Sequence, residues 1–164
     1  MQPTRECIDR RYSDERAEAV PWTEAQARLA AAEVAWVVTV RPDGRPHATP
    51  VVPVMHDGKV YFHTGSTEVK YANLRANPHV LVLAGDTAWD RGLDVAFEGN
   101  ATPVTDDALL RRVAALYRDR WDGRWEIDVA AKTPDTQLMV FEVTPDKAYG
   151  HAKGDPFGQT NYRF

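Results

Sequence analysis

Two Asp-Gly pairs, Asp43-Gly44 and Asp57-Gly58, interrupt the apolar stretch that runs from Ala35 to Thr64. Asp and Gly tolerate the backbone conformations that tight hairpin turns demand, so each pair predicts a reversal between antiparallel strands. "AWVVTV", "HATPVVPVM" and "VYFHT" then read as three consecutive antiparallel strands. Downstream, "HVLVLA" is a nearly continuous apolar strand. From Leu93 to Val104 the residues alternate, with Leu93, Val95, Phe97 and Ala101 on one face and Asp94, Glu98, Asn100 and Thr102 on the other. Pro103 marks an end or an edge. "QLMVFEV" is a last long strand, and the tail "HAKGDPFGQTNYRF" shows no periodicity.

Helices fall between these strands. The alanine-rich "EAQARLAAAE" predicts a helix starting at Thr23, which stands three residues before Gln26 in capping-box spacing. A short helix is expected from Ser66 to Asn77, where Asn77-Pro78 stops it. Thr105 is expected to cap a third helix, with Asp106 and Asp107 complementing its dipole and Leu109, Leu110, Val113, Leu116 and Tyr117 forming a core-facing stripe. About six strands with single interspersed helices favour a small antiparallel barrel over a parallel α/β sheet. Residues 1–22, where four arginines mix with five acidic residues, read as an exposed N-terminal arm, leaving 23–164 as one barrel domain with a tail.

Composition excludes several functions. The net charge of −4 lacks the basic stripe of a nucleic-acid binder. No stretch reaches the roughly 18 apolar residues of a membrane span, and the charged N-terminus is not a signal peptide. The single cysteine, Cys7, cannot build a disulfide framework and fits a reducing compartment, so a cytoplasmic protein is expected. There is no Gly-x-Ser-x-Gly elbow, Walker loop, Gly-x-Gly-x-x-Gly or His-Glu-x-x-His. The five histidines are scattered, although His47 and His63 could share neighbouring strands and touch a metal or haem.

Thr64-Gly65-Ser66-Thr67 at the end of "VYFHT", with Lys70 one turn into the next helix, carries the most chemistry. Unpaired amides and the positive dipole of a helix start attract phosphate. Gly65 lets backbone approach a ligand, Ser66 and Thr67 add hydroxyls, and Lys70 adds charge. An ordinary helix cap with a solvated lysine explains the same residues. In Thr49-Pro50-Val51, Pro50 and then Pro53 remove ladder donors, so the strand is bulged or lies at an edge. A flat ligand could use the backbone groups left around the prolines, and a barrel corner is the alternative.

In order and spacing, "WVVTVRPDGRPHATPV", "DGKVYFHTGSTEVKYANLRANPHVLVL" and "GLDVAFEGNATPV" resemble the pyridoxamine 5′-phosphate oxidase-like superfamily, the flavin-binding split β-barrel, over roughly residues 25 to 146. "GDPFGQTNYRF" looks like the actinobacterial branch that uses the deazaflavin coenzyme F-420 instead of FMN. The resemblance implies a six-stranded split barrel that dimerises, with two cofactor sites at the subunit interface. It assigns Thr49, Pro50 and Val51 to the strand beside the ring, and Thr64, Gly65, Ser66 and Lys70 to the phosphate corner, with Asn73 nearby. Asp94 stands where the oxidases proper carry a glutamine on the flavin, which argues against vitamin B6 oxidation. Phe157 and Arg163 are expected near the partner's site, and Arg41, Arg45 and Lys153 near a polyglutamyl tail. The implied reaction is hydride transfer from reduced F-420 to an activated alkene or tetrapyrrole-like acceptor. FMN chemistry and non-catalytic flavin or haem binding are the alternatives. No side chain stands out as an obligatory acid, so the catalytic residue is unknown at this stage.

Overall fold

The computed structural model describes residues 1–124, 126–128, 133 and 135–164. In chain order they form β1 (Arg5–Ile8), a 3-10 turn (Arg10–Tyr12), α1 (Trp22–Ala31), β2 (Ala35–Val40), β3 (Pro46–Val51), β4 (Val54–His56) and β5 (Lys59–Gly65). There follow α2 (Val69–Ala76), β6 (His79–Ala84), β7 (Leu93–Pro103), α3 (Asp107–Arg120), β8 (Leu138–Ala152) and β9 (Gly158–Arg163).

Both Asp-Gly pairs turn hairpins. Gly44 has φ +84°, while Asp57 and Gly58 both lie at positive φ, +50° and +76°. Every strand pairing is antiparallel. The sheet order is β1-β9-β8-β7-β6-β2-β3, and β5 joins the first half of β8 on one side and β4 on the other. β3 ends the sheet path and β4 pairs only with β5, so the two strands on either side of Pro53 are not joined to each other. The barrel is split there. In β7 the register slips between Glu98 and Gly99. A Cβ on Gly99 would sit 2.0 Å from the Thr144 carbonyl oxygen, so only glycine lets the two strands close at this bulge.

The strand count corrects the sequence-based expectation: the described residues form nine strands, not six. Pro53 has no amide hydrogen to continue the ladder, so "HATPVVPVM" divides into β3, bonded to β2, and β4, bonded to β5. The other two additional strands come from the termini. Residues 1–22 are no free arm, because β1 pairs with β9 from Arg5↔Arg163 to Ile8↔Thr160. Nor is the C-terminal tail irregular, since β9 also pairs with β8.

Helix starts differ from expectation as well. α1 begins at Trp22 with no side-chain cap from Thr23. Instead Glu6 on β1 accepts the Trp22 amide at 3.0 Å, which ties the terminal strand to the helix. α3 is capped by Asp106, not Thr105, through the Leu109 amide at 2.8 Å. Asp106 supplies both the acceptor and the negative charge that a helix N-terminus favours.

The main core lies inside the barrel, where Leu29, Val37, Phe62, Val82, Phe97, Phe141 and Val143 are all sealed from water. Trp22 closes one end, with its ring 5.1 Å from Tyr162 and 4.9 Å from Phe164. A smaller cluster of Val54, Tyr61, Val113, Tyr117 and Val140 packs α3 against the outside of β4 and β5. Each such burial contributes about 1.5–3 kcal/mol. Among the described residues no helix is long and apolar enough to cross a membrane.

Candidate functional site

The gap between β3 and β5 is a groove of about 340 Å³, lined by Val34, Pro50, Val51, Val52, His63, Glu68 and Lys70. One wall is the end of β3 and the residues after it. α3 fixes that wall: the Tyr117 hydroxyl donates to the Val52 carbonyl at 2.6 Å, and Arg120 donates to the Pro53 carbonyl at 3.0 Å and the Ala32 carbonyl at 2.7 Å. Between β3 and β4 the Val52 and Pro53 carbonyls have no strand partner, and these bonds supply one. On the opposite wall His63 meets the Tyr117 ring edge-on at 5.4 Å. Burial lowers the His63 pKa, so the imidazole is neutral at pH 7.

At one end of the groove is the Thr64–Thr67 corner. The Gly65 amide donates to Glu68 Oε1 at 2.6 Å, and the Lys70 ammonium donates to Glu68 Oε2. Lys70 is not a solvated lysine. Its side chain is 7% exposed, whereas that of Glu68 is 48% exposed. Burial pushes the Glu68 pKa up, but the bonds from Lys70 and Gly65 outweigh it and the net shift is downward, so the carboxylate is ionised. A Cβ on Gly65 would lie 3.0 Å from Thr136 Oγ1 and 3.3 Å from Glu68 Oε1, so a side chain here would crowd the oxygen the corner binds. A cation and a bare amide converging on one carboxylate form a donor set suited to anionic oxygens.

The other expected residues are more dispersed. Pro50 and Val51 line the groove with Lys70. Ser66 neither caps α2 nor lines the groove, because its hydroxyl accepts the Gln137 amide at 2.9 Å and pins the corner to the start of β8. Thr64 is buried, its hydroxyl 3.4 Å from the Gly65 carbonyl. Asn73 is buried too and donates to Thr39 Oγ1 at 2.9 Å, which fastens α2 to β2. Thr49 is absent from the groove lining, and its hydroxyl, like that of Thr136, is buried without a hydrogen-bond partner among the described residues. Glu68 is the polar groove residue that the sequence reading missed, and its place two positions before Lys70 was the available signal, whereas His63 was anticipated only as a metal or haem contact.

Asp94 lies in an adjoining depression of about 400 Å³ that shares Val34 with the groove. Lys153, a candidate for a polyglutamyl tail, already pairs with Asp94 at 2.9 Å and Asp86 at 3.2 Å, and Arg45 pairs with Asp43. Phe157 is exposed on the approach to β9, and Arg163 ends that strand. His47 and His63 lie on β3 and β5, which do not pair, and no group of three or more metal-ligating side chains gathers among the described residues.

An incompletely closed antiparallel barrel with a donor-rich corner at the open seam defines the split-barrel class. The chain belongs to the pyridoxamine 5′-phosphate oxidase family, whose profile matches residues 22–152. Its fold is similar to a conserved protein of Mycobacterium tuberculosis, with TM-score 0.67 and 23% identity over 80% of this chain and 84% of that one. A pyridoxamine 5′-phosphate oxidase-related FMN-binding protein of Nostoc punctiforme gives TM-score 0.63 and 16% identity over 88% and 91%. A haem-binding protein of Mycobacterium smegmatis gives TM-score 0.67 and 17% identity over 83% of this chain and 55% of that one. No curated protein sequence matches the chain.

Proposed function

We propose that the chain is an oxidoreductase that transfers a hydride from reduced coenzyme F-420 to a small organic acceptor, an activated alkene or a tetrapyrrole-like molecule. The observation that carries this reading is the groove itself, where the strand end at Pro50 and Val51 faces a corner that gathers the Gly65 amide and the Lys70 ammonium. The bound deazaflavin supplies the hydride, and the protein's part is to hold and orient it. Lys70 and the Gly65 amide bind the phosphate. Ser66 keeps the corner in place through Gln137, and Asn73 keeps α2 against the barrel. Val34, Pro50, Val51 and Val52 provide an apolar wall for the ring, and neutral His63 adds no charge to it. Thr49 supports that wall from within β3.

The tail sequence supports F-420 over FMN. F-420 is therefore expected to bind more tightly in side-by-side fluorescence titrations, and equal or tighter FMN binding overturns that preference. The FMN-binding and haem-binding neighbours favour a second reading, an FMN-dependent oxidoreductase or a non-catalytic flavin or haem binder. Turnover with reduced F-420 separates enzyme from binder.

The site belongs to a homodimer in this proposal. Trp36 opposite Leu83 and Val38 opposite Leu81 form cross-strand pairs on the outer face of β2 and β6, and Trp36 is 49% exposed. Covering such a patch favours self-association. Sedimentation at micromolar concentration is expected to give twice the 18.4 kDa monomer mass. A purely monomeric species removes the two-subunit site.

A further inference from the structure

We infer that Glu68 is a built-in competitor for the anion corner, a carboxylate that occupies the phosphate position until a ligand displaces it. This rests on the proposed cofactor reading and adds the means by which the site stays closed. The same two donors that a phosphate would need, the Gly65 amide and the Lys70 ammonium, are both spent on Glu68. A phosphate and this carboxylate cannot hold them together.

Exposure says which partner moves. Lys70, 7% exposed, is fixed in the protein, while Glu68 is 48% exposed and can turn into water. A buried ammonium left alone is strongly unfavourable, so the corner requires some anion at all times. Glu68 meets that requirement when no ligand is present. It also raises the threshold for ligands, since a single weak acceptor gains nothing by replacing a carboxylate already in place. When the closed form holds about nine-tenths of the molecules, apparent affinity falls about tenfold.

The test compares wild-type protein with Glu68→Ala and Glu68→Gln, using FMN, F-420 and inorganic phosphate as probes and following the Gly65 amide by NMR. Glu68→Ala is expected to bind FMN and phosphate about tenfold more tightly or better. That gain should persist in 1 M salt, where the Debye length is about 3 Å and remote charge repulsion is screened. Its ligand-free Gly65 amide proton should shift upfield and return downfield with phosphate, whereas the wild-type proton stays downfield throughout. Glu68→Gln keeps an acceptor without the charge, so intermediate affinity is expected, and it stands in if the alanine variant does not fold. Wild-type affinity in both variants, or a gain that vanishes in 1 M salt, overturns the competitor while leaving the proposed function intact. Failure of all three proteins to bind any probe overturns the proposed function and the competitor with it.

Discussion

Lys70→Ala is expected to lower cofactor affinity by roughly 10- to 150-fold, because it deletes a charge-assisted contact worth about 1.5–3 kcal/mol. Read from the sequence alone, this lysine is an exposed helical residue whose loss leaves stability untouched. The structure changes that expectation. Lys70 is buried against the groove and clamps Glu68, so its removal empties part of the wall and releases the carboxylate. Glu68 is exposed enough to turn into water, which limits the stability loss to about 1–2 kcal/mol. Cofactor titration and thermal melting of the same variant separate the two effects. Unchanged affinity would reduce the corner to the start of a helix.

Trp22→Ala is expected to be the most destabilising of the substitutions considered, at about 3–5 kcal/mol, the usual loss for a large buried aromatic. In a domain of this size that lowers Tm by on the order of 10 °C. Trp22 is 2% exposed, stacks with Phe97 at 6.4 Å, and meets the rings of Tyr162 and Phe164. Trp89→Ala is the control, since Trp89 is 87% exposed and its loss should fall within about 0.5 kcal/mol of zero. Similar melting of the two variants would contradict the packing of the N-terminal segment into the barrel.

These two residues mark the boundary of what was legible. Turn chemistry and alternation are local, so the Asp-Gly hairpins, the apolar β6 and the Leu93–Pro103 strand could be read directly. The pairing of β1 with β9 joins opposite ends of the chain, at Arg5↔Arg163, and no local pattern announces such a contact. Four arginines among five acidic residues resembled a solvated arm. Yet Glu6 accepts the Trp22 amide, Asp9 is buried beside Asn161, and Arg10 donates to the Glu15 and Ala17 carbonyls, contacts that charge composition does not announce. At the candidate site, Gly65 at the end of β5 and Lys70 on the next helix singled out the corner where their amide and ammonium meet on Glu68. Whether Lys70 faced water or protein depended on how the eight-residue α2 sits against the barrel, which eight residues cannot encode. Asn73 shows the same limit, since the family resemblance placed it near the site while tertiary packing turned it to Thr39.

The prolines of β3 have a consequence for the protein's behaviour in concentrated solution. β3 ends the sheet, and an unpaired strand edge is a template on which another chain's strand can add. Its ladder to β2 spans all six residues from Pro46 to Val51, so the donors it uses are those of the alternate set, His47, Thr49 and Val51. The amides of Pro46, Ala48 and Pro50 then share the outward side, and two of those three positions have no hydrogen to give. An incoming strand would find carbonyls to bond but almost no donors in return. The seam can therefore stay open to a small molecule without becoming a seed for chain-on-chain stacking.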